Sequence, residues 1–318
     1  MLAHAVFRDV FNVVSRFIVG YNDEIKIIFS ALFSGGHVLI EGVPGVAKTL
    51  LAKLIARSLS LKFKRIQMAP DILPSDIIGF KAIDPKTGEL RTILGPIFAN
   101  IILVDEINRA PPKTQVALLE AMQEKHVTIE GDVYELPKPF MVIATMNPVE
   151  VESVFPLPEA ELDRFSVSVN LGYLSRDEEI EIVKREQKIL KGREPTITPI
   201  VDVATVLKVI DEVMEVHVDS DILKYIVDII RATRTHESVH LGASPRSAVT
   251  LLRVSKAYAA LNDRDYVIPD DVKHAAYYVL PHRLILKDKV LPRGAHMTQR
   301  TLALRVVEDV LKSIKPPW

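Results

Sequence analysis

The stretch GVPGVAKT at residues 42–49 decides the fold of this chain. It follows an apolar run, HVLIE at 37–41, and opens a predicted helix at 48–59, which is the strand–loop–helix context of a phosphate-binding loop. Backbone N–H groups of such a loop wrap nucleotide phosphates, and the helix N-terminus adds its positive end. We expect Lys48 to reach the β- and γ-phosphates and the Thr49 hydroxyl to bind Mg²⁺. The candidate nucleotide-binding residues are Gly42, Val43, Pro44, Gly45, Val46, Ala47, Lys48, Thr49 and Leu50.

Two further apolar runs end in polar residues that suit phosphoryl transfer. IILVDE at 101–106 ends in Asp105 and Glu106, and ATMNP at 144–148 places Asn147 after another run. Asp105 would hold Mg²⁺, Glu106 would activate water, and Asn147 would orient that water beside the γ-phosphate. Taken alone, the first motif also fits a solvated strand end and the second a simple turn. Paired carboxylates for glycoside hydrolysis fit worse, because adjacent strand residues point to opposite faces.

The hydrophobic pattern indicates an α/β first half. Short apolar runs at 37–41, 63–67, 101–105, 141–145 and 165–169 are separated by helical stretches, which predicts a parallel sheet covered on both faces. Hairpins are expected within 70–98 and at 126–137, where glycines separate alternating segments. The predicted helices of this half lie at 5–17, 22–33, 48–59 and 112–125.

The second half is predicted to be helical, because strand patterns cease after about residue 170. A Pro-containing stretch at 193–199 breaks the chain, and Ser244 followed by Pro245 marks a helix start. We therefore predict a first domain at 1–172, a linker helix and connection at 173–199, and a smaller all-helical domain at 200–318. The predicted helices lie at 176–190, 202–215, 219–235, 245–261, 269–280 and 300–314.

Composition restricts the classes of function. Forty Lys and Arg against 41 Asp and Glu give a formal net charge of −1, which argues against a constitutive nucleic-acid binder. The absence of cysteine excludes a disulfide scaffold, thiol catalysis and thiolate zinc sites. His236 and His240 flank Glu237 at the spacing of the His-Glu-x-x-His zinc motif, but we expect the two histidines to straddle a helix end, so a catalytic zinc site is not favoured. No apolar run reaches the roughly 18 residues of a membrane span, and charged residues interrupt the N-terminus, so we expect a cytoplasmic protein.

Seven segments together carry a resemblance that runs over nearly the whole chain. They are GGHVLIEGVPGVAKT (35–49), MAPDILPSDIIGF (68–80), LGPIF (94–98), LVDEINRAPPKTQVALLEAMQE (103–124), VIATMNP (142–148), LPEAELDRF (157–165) and LGASPRS (241–247). The chain resembles the MoxR group of AAA+ ATPases. The resemblance implies a P-loop AAA+ core with a parallel sheet, followed by a helical lid. It also implies that 70–98 is an insertion in the second core helix and that 126–137 is the hairpin before the sensor strand.

The resemblance assigns roles to residues outside the loop. Ile18 and Val19, in FIVG, match the segment that lines the adenine pocket. Arg164, in ELDRF, matches the finger inserted into a neighbouring subunit's site, and Arg246, in GASPRS, matches the lid arginine that contacts the γ-phosphate. Without the resemblance, a surface salt bridge would be the simpler explanation of either arginine.

Two further residues are expected to lie beside the carboxylates. Gln67, at the end of the second strand, is expected to hydrogen-bond Glu106 and hold it inactive. Arg109 is a weaker candidate for work at a subunit interface.

Three classes of function remain. The resemblance favours an ATPase that uses ATP and Mg²⁺ in a hexameric ring to remodel or mature partner proteins, together with von Willebrand A-domain proteins. A nucleic-acid motor related to replicative helicases is the alternative, but Lys62, Lys64 and Arg65 form only a short basic group. A nucleotide switch or small-molecule kinase is disfavoured, because the Asp-Glu pair suits hydrolysis and no Asn-Lys-x-Asp guanine motif is present. The client protein stays unidentified.

Overall fold

The centre of the molecule is a sheet of five parallel strands in the order β2-β5-β8-β1-β9. The structure is a computed structural model that describes residues 1–42, 45–146, 155–189, 198–287 and 299–318. All five predicted strands are present, so the predicted parallel sheet is confirmed. They are β1 (Val38–Gly42), β2 (Phe63–Gln67), β5 (Ile101–Asp105), β8 (Met141–Met146) and β9 (Val167–Leu171).

Both faces of this sheet are covered, because side chains of the central strands β1, β5 and β8 alternate between two hydrophobic clusters. In β5, Ile101 and Leu103 join one cluster, whereas Ile102 and Val104 join the other. All five residues of β5 are buried. The apolar character of the central strands is thus explained by burial on both sides.

Helices and two hairpins complete the first half, and both predicted hairpins are confirmed. The first pairs β3 (Gly79–Ile83) with β4 (Leu90–Leu94), and the second pairs β6 (His126–Ile129) with β7 (Asp132–Glu135). The helices are α1 (Leu2–Val14), α2 (Asn22–Phe33), α3 (Lys48–Ser58), α4 (Pro74–Ile78), α5 (Pro112–Glu124) and α6 (Glu159–Leu162).

The second half is built mainly of helices. Ser244 caps the helix α10 (Pro245–Leu261) by accepting a hydrogen bond from the Ser247 N–H, and Pro245 is its first residue, as predicted. A short antiparallel pair, β10 (Val239–Leu241) with β11 (Ile285–Leu286), departs from the prediction that strands end near residue 170. The helices are α7 (Arg176–Ile189), α8 (Val203–Met214), α9 (Ser220–Thr235), α10 (Pro245–Leu261), α11 (Pro269–Val279) and α12 (Gln299–Ser313).

The N-terminal helices α1 and α2 pack against helices of the second half. The Glu212 carboxylate of α8 accepts hydrogen bonds from the first backbone N–H groups of α1, and His4 Nδ1 lies 2.9 Å from the Leu261 carbonyl oxygen. Residues of α1, α2, α8 and α10 share one hydrophobic cluster. The division at 173–199 stays a prediction, and α1 and α2 belong by their packing to both predicted domains. Among the described residues, none of the helices has the length and apolarity needed to cross a membrane.

Candidate active site

The loop between β1 and α3 has the backbone geometry of a tight turn. Gly45 and Ala47 have positive φ angles of 87° and 57°. The common loop pattern has glycine at the second of these positions, and alanine there costs about 1–2 kcal/mol. A Cβ on Gly42 would lie 2.4 Å from the Leu171 carbonyl oxygen, so this position requires glycine. Residues 43–44, which the sequence also places in the loop, lie outside the described residues.

Lys48 begins α3 and reaches back across the loop. Its Nζ donates a hydrogen bond of 2.9 Å to the Gly42 carbonyl oxygen. Burial lowers the pKa of Lys48, and the Asp105 and Glu106 carboxylates oppose that shift. The ammonium group therefore faces both predicted catalytic carboxylates across a shared space.

That space is a cavity of about 410 Å³ at the carboxyl end of the sheet. Because β1, β5 and β8 are parallel neighbours, the residues that end them meet at the same edge. The structure thus brings together the described part of the loop and the Asp-Glu pair. The lining residues are Gly42, Gly45, Val46, Ala47, Lys48, Thr49, Leu50, Arg65, Gln67, Asp105, Glu106 and Thr145.

Asp105 is largely buried and bonded through both of its carboxylate oxygens. Arg65 Nε donates to Oδ2 over 2.6 Å, and the Thr145 hydroxyl donates to Oδ1 over 3.3 Å. Thr49, which carries a hydroxyl, lines the same cavity. A hydroxyl and a carboxylate are hard oxygen ligands, so these two residues fit the preference of Mg²⁺.

Glu106 is positioned by its backbone and by two side-chain donors. Its φ is 57°, and its N–H donates to Thr145 Oγ1. Its Oε2 accepts hydrogen bonds from Gln67 Nε2 at 3.1 Å and from Arg109 Nη1 at 2.9 Å. The expected contact between Gln67 and Glu106 is present, whereas Arg109 pairs with Glu106 inside its own subunit.

A second cavity, of about 450 Å³ and mainly apolar lining, adjoins the first. Gly45, Val46, Ala47 and Leu50 line both cavities, so a triphosphate in one would place its base in the other. Ile18 and Val19 line this cavity, and their role beside an adenine base stays a prediction. The other lining residues are Phe17, Tyr21, Tyr173, Leu174, Glu179, Ile182 and Arg185.

Comparison with known proteins identifies the family. Residues 37–167 match the family model "ATPase family associated with various cellular activities (AAA)", and residues 231–302 match "AAA lid domain". The chain is 42% identical to Chaperone MoxR1 of Mycobacterium tuberculosis, covering 89% of this chain and 76% of that one. The chain belongs to the MoxR family of AAA+ ATPases. It is also 43% identical to the uncharacterized protein YeaC of Bacillus subtilis, covering 96% of this chain and 92% of YeaC.

A solved crystal structure of a protein from Cytophaga hutchinsonii has the same fold as this chain. The two superimpose with a TM-score of 0.90 and 38% sequence identity, covering 99% of this chain and 96% of that one. The predicted family and the predicted AAA+ core with a helical lid are therefore confirmed.

The two arginines that the MoxR resemblance singles out are not among the described residues that line the first cavity, the candidate phosphate cavity. Arg164 follows α6, and its Nη1 donates to the Leu119 carbonyl oxygen of α5 over 2.9 Å. Its Nε is buried with no hydrogen-bond partner among the described residues. Arg246 is exposed on the first turn of α10. Asn147 lies outside the described residues, so its role stays a prediction, as do those of both arginines.

A buried ion pair that the sequence does not reveal connects the regions of these arginines. Arg283, only 2% exposed, donates through Nε to Asp163 Oδ1 over 2.7 Å. The Ser244 hydroxyl, at the N-cap of α10, donates to Asp163 Oδ2 over 3.0 Å. Asp163 therefore ties the segment that carries Arg164 to the helix that carries Arg246. The partners lie 120 and 81 residues from Asp163, so no local pattern predicts them.

Asp163→Ala is expected to lower the free energy of unfolding by about 3–5 kcal/mol, because it leaves the buried Arg283 guanidinium without its counter-charge. Chemical denaturation followed by circular dichroism measures the change. Asp177→Ala is the control, since Asp177 is 94% exposed and 3.9 Å from Arg176, and we expect a change within about 0.5 kcal/mol. Equal losses in the two variants would contradict a stabilising role for the buried pair.

Proposed function

We propose that this protein hydrolyses ATP to ADP and phosphate as a homo-oligomeric, hexameric ring and thereby remodels or matures partner proteins. The proposal rests on one cavity in which the Lys48 ammonium faces the Asp105 and Glu106 carboxylates. Phosphoryl transfer needs a cation on the phosphates, a metal ligand and a group that activates water. The name of the relative Chaperone MoxR1 supports a protein partner.

In this proposal four residues of the cavity have defined tasks. Lys48 binds the β- and γ-phosphates, while Thr49 and Asp105 hold Mg²⁺. Bound Mg²⁺ would neutralise charge on the phosphoryl oxygens. Glu106 accepts a proton from the attacking water. Because Glu106 Oε2 already accepts two hydrogen bonds, the water binds through the other oxygen or after Gln67 or Arg109 moves.

The adjoining apolar cavity would hold the adenine base, with Ile18 and Val19 in its wall. Burial of apolar surface around the flat base contributes affinity and leaves the triphosphate in the charged cavity. Asn147 orients the attacking water, and Arg246 contacts the γ-phosphate when the lid closes. A contact of this kind would move α10, whose N-cap Ser244 is bonded to Asp163.

The test measures ATP hydrolysis with a von Willebrand A-domain protein and, separately, with duplex and single-stranded DNA. We expect the A-domain protein to stimulate hydrolysis and DNA to leave the rate unchanged. Stimulation by DNA alone would favour a nucleic-acid motor.

Lys48→Ala is expected to be inactive and serves as the negative control. It should weaken ATP binding, measured by calorimetry, about 100-fold or more, since hydrogen bonds to charged groups contribute about 1.5–3 kcal/mol each. Micromolar affinity retained in Lys48→Ala would contradict the assignment of the phosphate loop.

A further inference from the structure

Arg65 lines the candidate phosphate cavity, but it has no task in the proposed chemistry. It lies on the edge strand β2, and its side chain is 52% exposed. Arg65 and Gln67 are two residues apart and so share one face of the strand, and both line the cavity. Arg65 Nη2 donates to Gln67 Oε1 over 3.2 Å. The guanidinium thus belongs to the site and not to a basic surface patch.

The partner of Arg65 is the residue expected to bind the metal. Its Nε lies 2.6 Å from Asp105 Oδ2, and the Thr145 hydroxyl holds the other oxygen of that carboxylate. A largely buried carboxylate without a counter-charge is costly, so Arg65 stabilises Asp105 in the absence of a metal. A Mg²⁺ ion bound to Asp105 would supply the same charge. The two cations therefore compete for one carboxylate.

We propose that Arg65 is the counter-ion of Asp105 in the metal-free site and that it yields this carboxylate to Mg²⁺ when nucleotide and metal bind together. Arg65 is then a positioning residue that sets how strongly nucleotide binding depends on Mg²⁺. The inference rests on the proposed function, because it takes Asp105 as a ligand of Mg²⁺. It assigns a task to Arg65, which the sequence analysis places only in the short basic group with Lys62 and Lys64.

Arg65 should affect nucleotide binding without Mg²⁺ and the binding of Mg²⁺ in opposite directions. Without Mg²⁺, Arg65 neutralises Asp105 and so reduces its repulsion of the triphosphate. With Mg²⁺, Arg65 opposes metal binding, because the guanidinium must give up a charge-assisted hydrogen bond. Removing the charge should therefore weaken metal-free nucleotide binding and tighten the binding of Mg²⁺ to the nucleotide complex. A merely structural arginine would not couple these two effects.

The test measures the dissociation constant of a fluorescent, non-hydrolysable ATP analogue on the full chain, in EDTA and over a Mg²⁺ titration. We expect Arg65→Gln to raise the ratio of the EDTA constant to the Mg²⁺ constant about tenfold over the parent, which corresponds to about 1.4 kcal/mol. The half-saturating Mg²⁺ concentration should fall. Arg65→Lys, which keeps the charge, should restore most of the parental ratio.

Lys64→Gln is the matched control. It removes one positive charge from the neighbouring position of β2, whose side chain points to the opposite face, and Lys64 does not line the cavity. The ratio of the two dissociation constants in Lys64→Gln should stay within about twofold of the parental ratio, because salt screens an exposed surface charge. An unchanged ratio in Arg65→Gln, or equal changes in Arg65→Gln and Lys64→Gln, would overturn the inference. The phosphate site would still be supported in that case, provided that the parent binds nucleotide. If the parent binds no nucleotide in either buffer, the proposed function fails and the inference fails with it.

Discussion

A Glu106→Gln variant is expected to bind ATP and Mg²⁺ as the parent does and to hydrolyse ATP about 10²–10⁴-fold more slowly. The amide has nearly the shape of the carboxylate but does not take a proton from water. Its oxygen is able to accept the hydrogen bonds that Gln67 and Arg109 now donate to Glu106 Oε2. We therefore expect the site to keep its geometry and to lose only the chemical step. Calorimetry measures nucleotide binding, and phosphate release measures the rate.

Glu124→Gln is the matched control for this variant. Glu124 is exposed at the end of α5, outside both nucleotide cavities, and we expect parental binding and rate there. Asp105→Asn gives a second comparison, because it should alter the dependence on Mg²⁺ as well as the rate. A Glu106→Gln rate close to that of the parent would show that another group activates the water.

Much of the fold can be predicted from the local hydrophobic pattern, because most strands of the parallel sheet coincide with short apolar runs in the sequence. The predicted ranges 63–67 and 101–105 coincide with β2 and β5, and 245–261 coincides with α10. The Ser-Pro start of that helix is a local hydrogen-bonding signal, so its first residue is predicted correctly. In contrast, α1 covers Leu2–Val14 where 5–17 is predicted. The apolar spacing continues beyond Val14 and does not itself mark the end.

Contacts between distant segments account for the parts that sequence patterns miss. The strands β10 and β11 have three and two residues, which is too short for any period to be read. Asp105 and Glu106 are predictable from their place after a strand, but the Arg65 partner of Asp105 lies 40 residues away on another strand. That contact exists because β2 and β5 are neighbours in register, with Gln67 opposite Asp105. Such pairs depend on sheet order, which the apolar runs alone do not give.

Arg164→Ala is expected to bind ATP as the parent does and to hydrolyse it about 10³–10⁵-fold more slowly, if Arg164 acts as a finger in a neighbouring subunit. A guanidinium suits this task because it stays charged and can donate two hydrogen bonds to phosphoryl oxygens. Within its own subunit Arg164 does not line the phosphate cavity, and Nη1 is bonded only to a backbone carbonyl of α5 in the contacts described. Its buried Nε has no hydrogen-bond partner among the described residues. A buried Nε does not itself reach a ligand in another subunit, so a finger role would fall to the terminal Nη groups of Arg164.

Mixing two inactive variants separates a finger from a structural arginine. Lys48→Ala lacks the phosphate contact but keeps Arg164, whereas Arg164→Ala keeps the phosphate site and lacks the finger. In a mixed ring, an Arg164→Ala subunit binds ATP while a Lys48→Ala neighbour supplies an intact Arg164, so hydrolysis should partly return. Subunit exchange is checked independently by energy transfer between labelled chains.

A mixture of Lys48→Ala with Glu106→Gln is the control, and it should stay inactive, because each subunit lacks a residue needed in its own site. Exchange without recovery in the first mixture would show that Arg164 does not act across the interface, because a salt bridge or carbonyl contact within one chain cannot be restored by a neighbour.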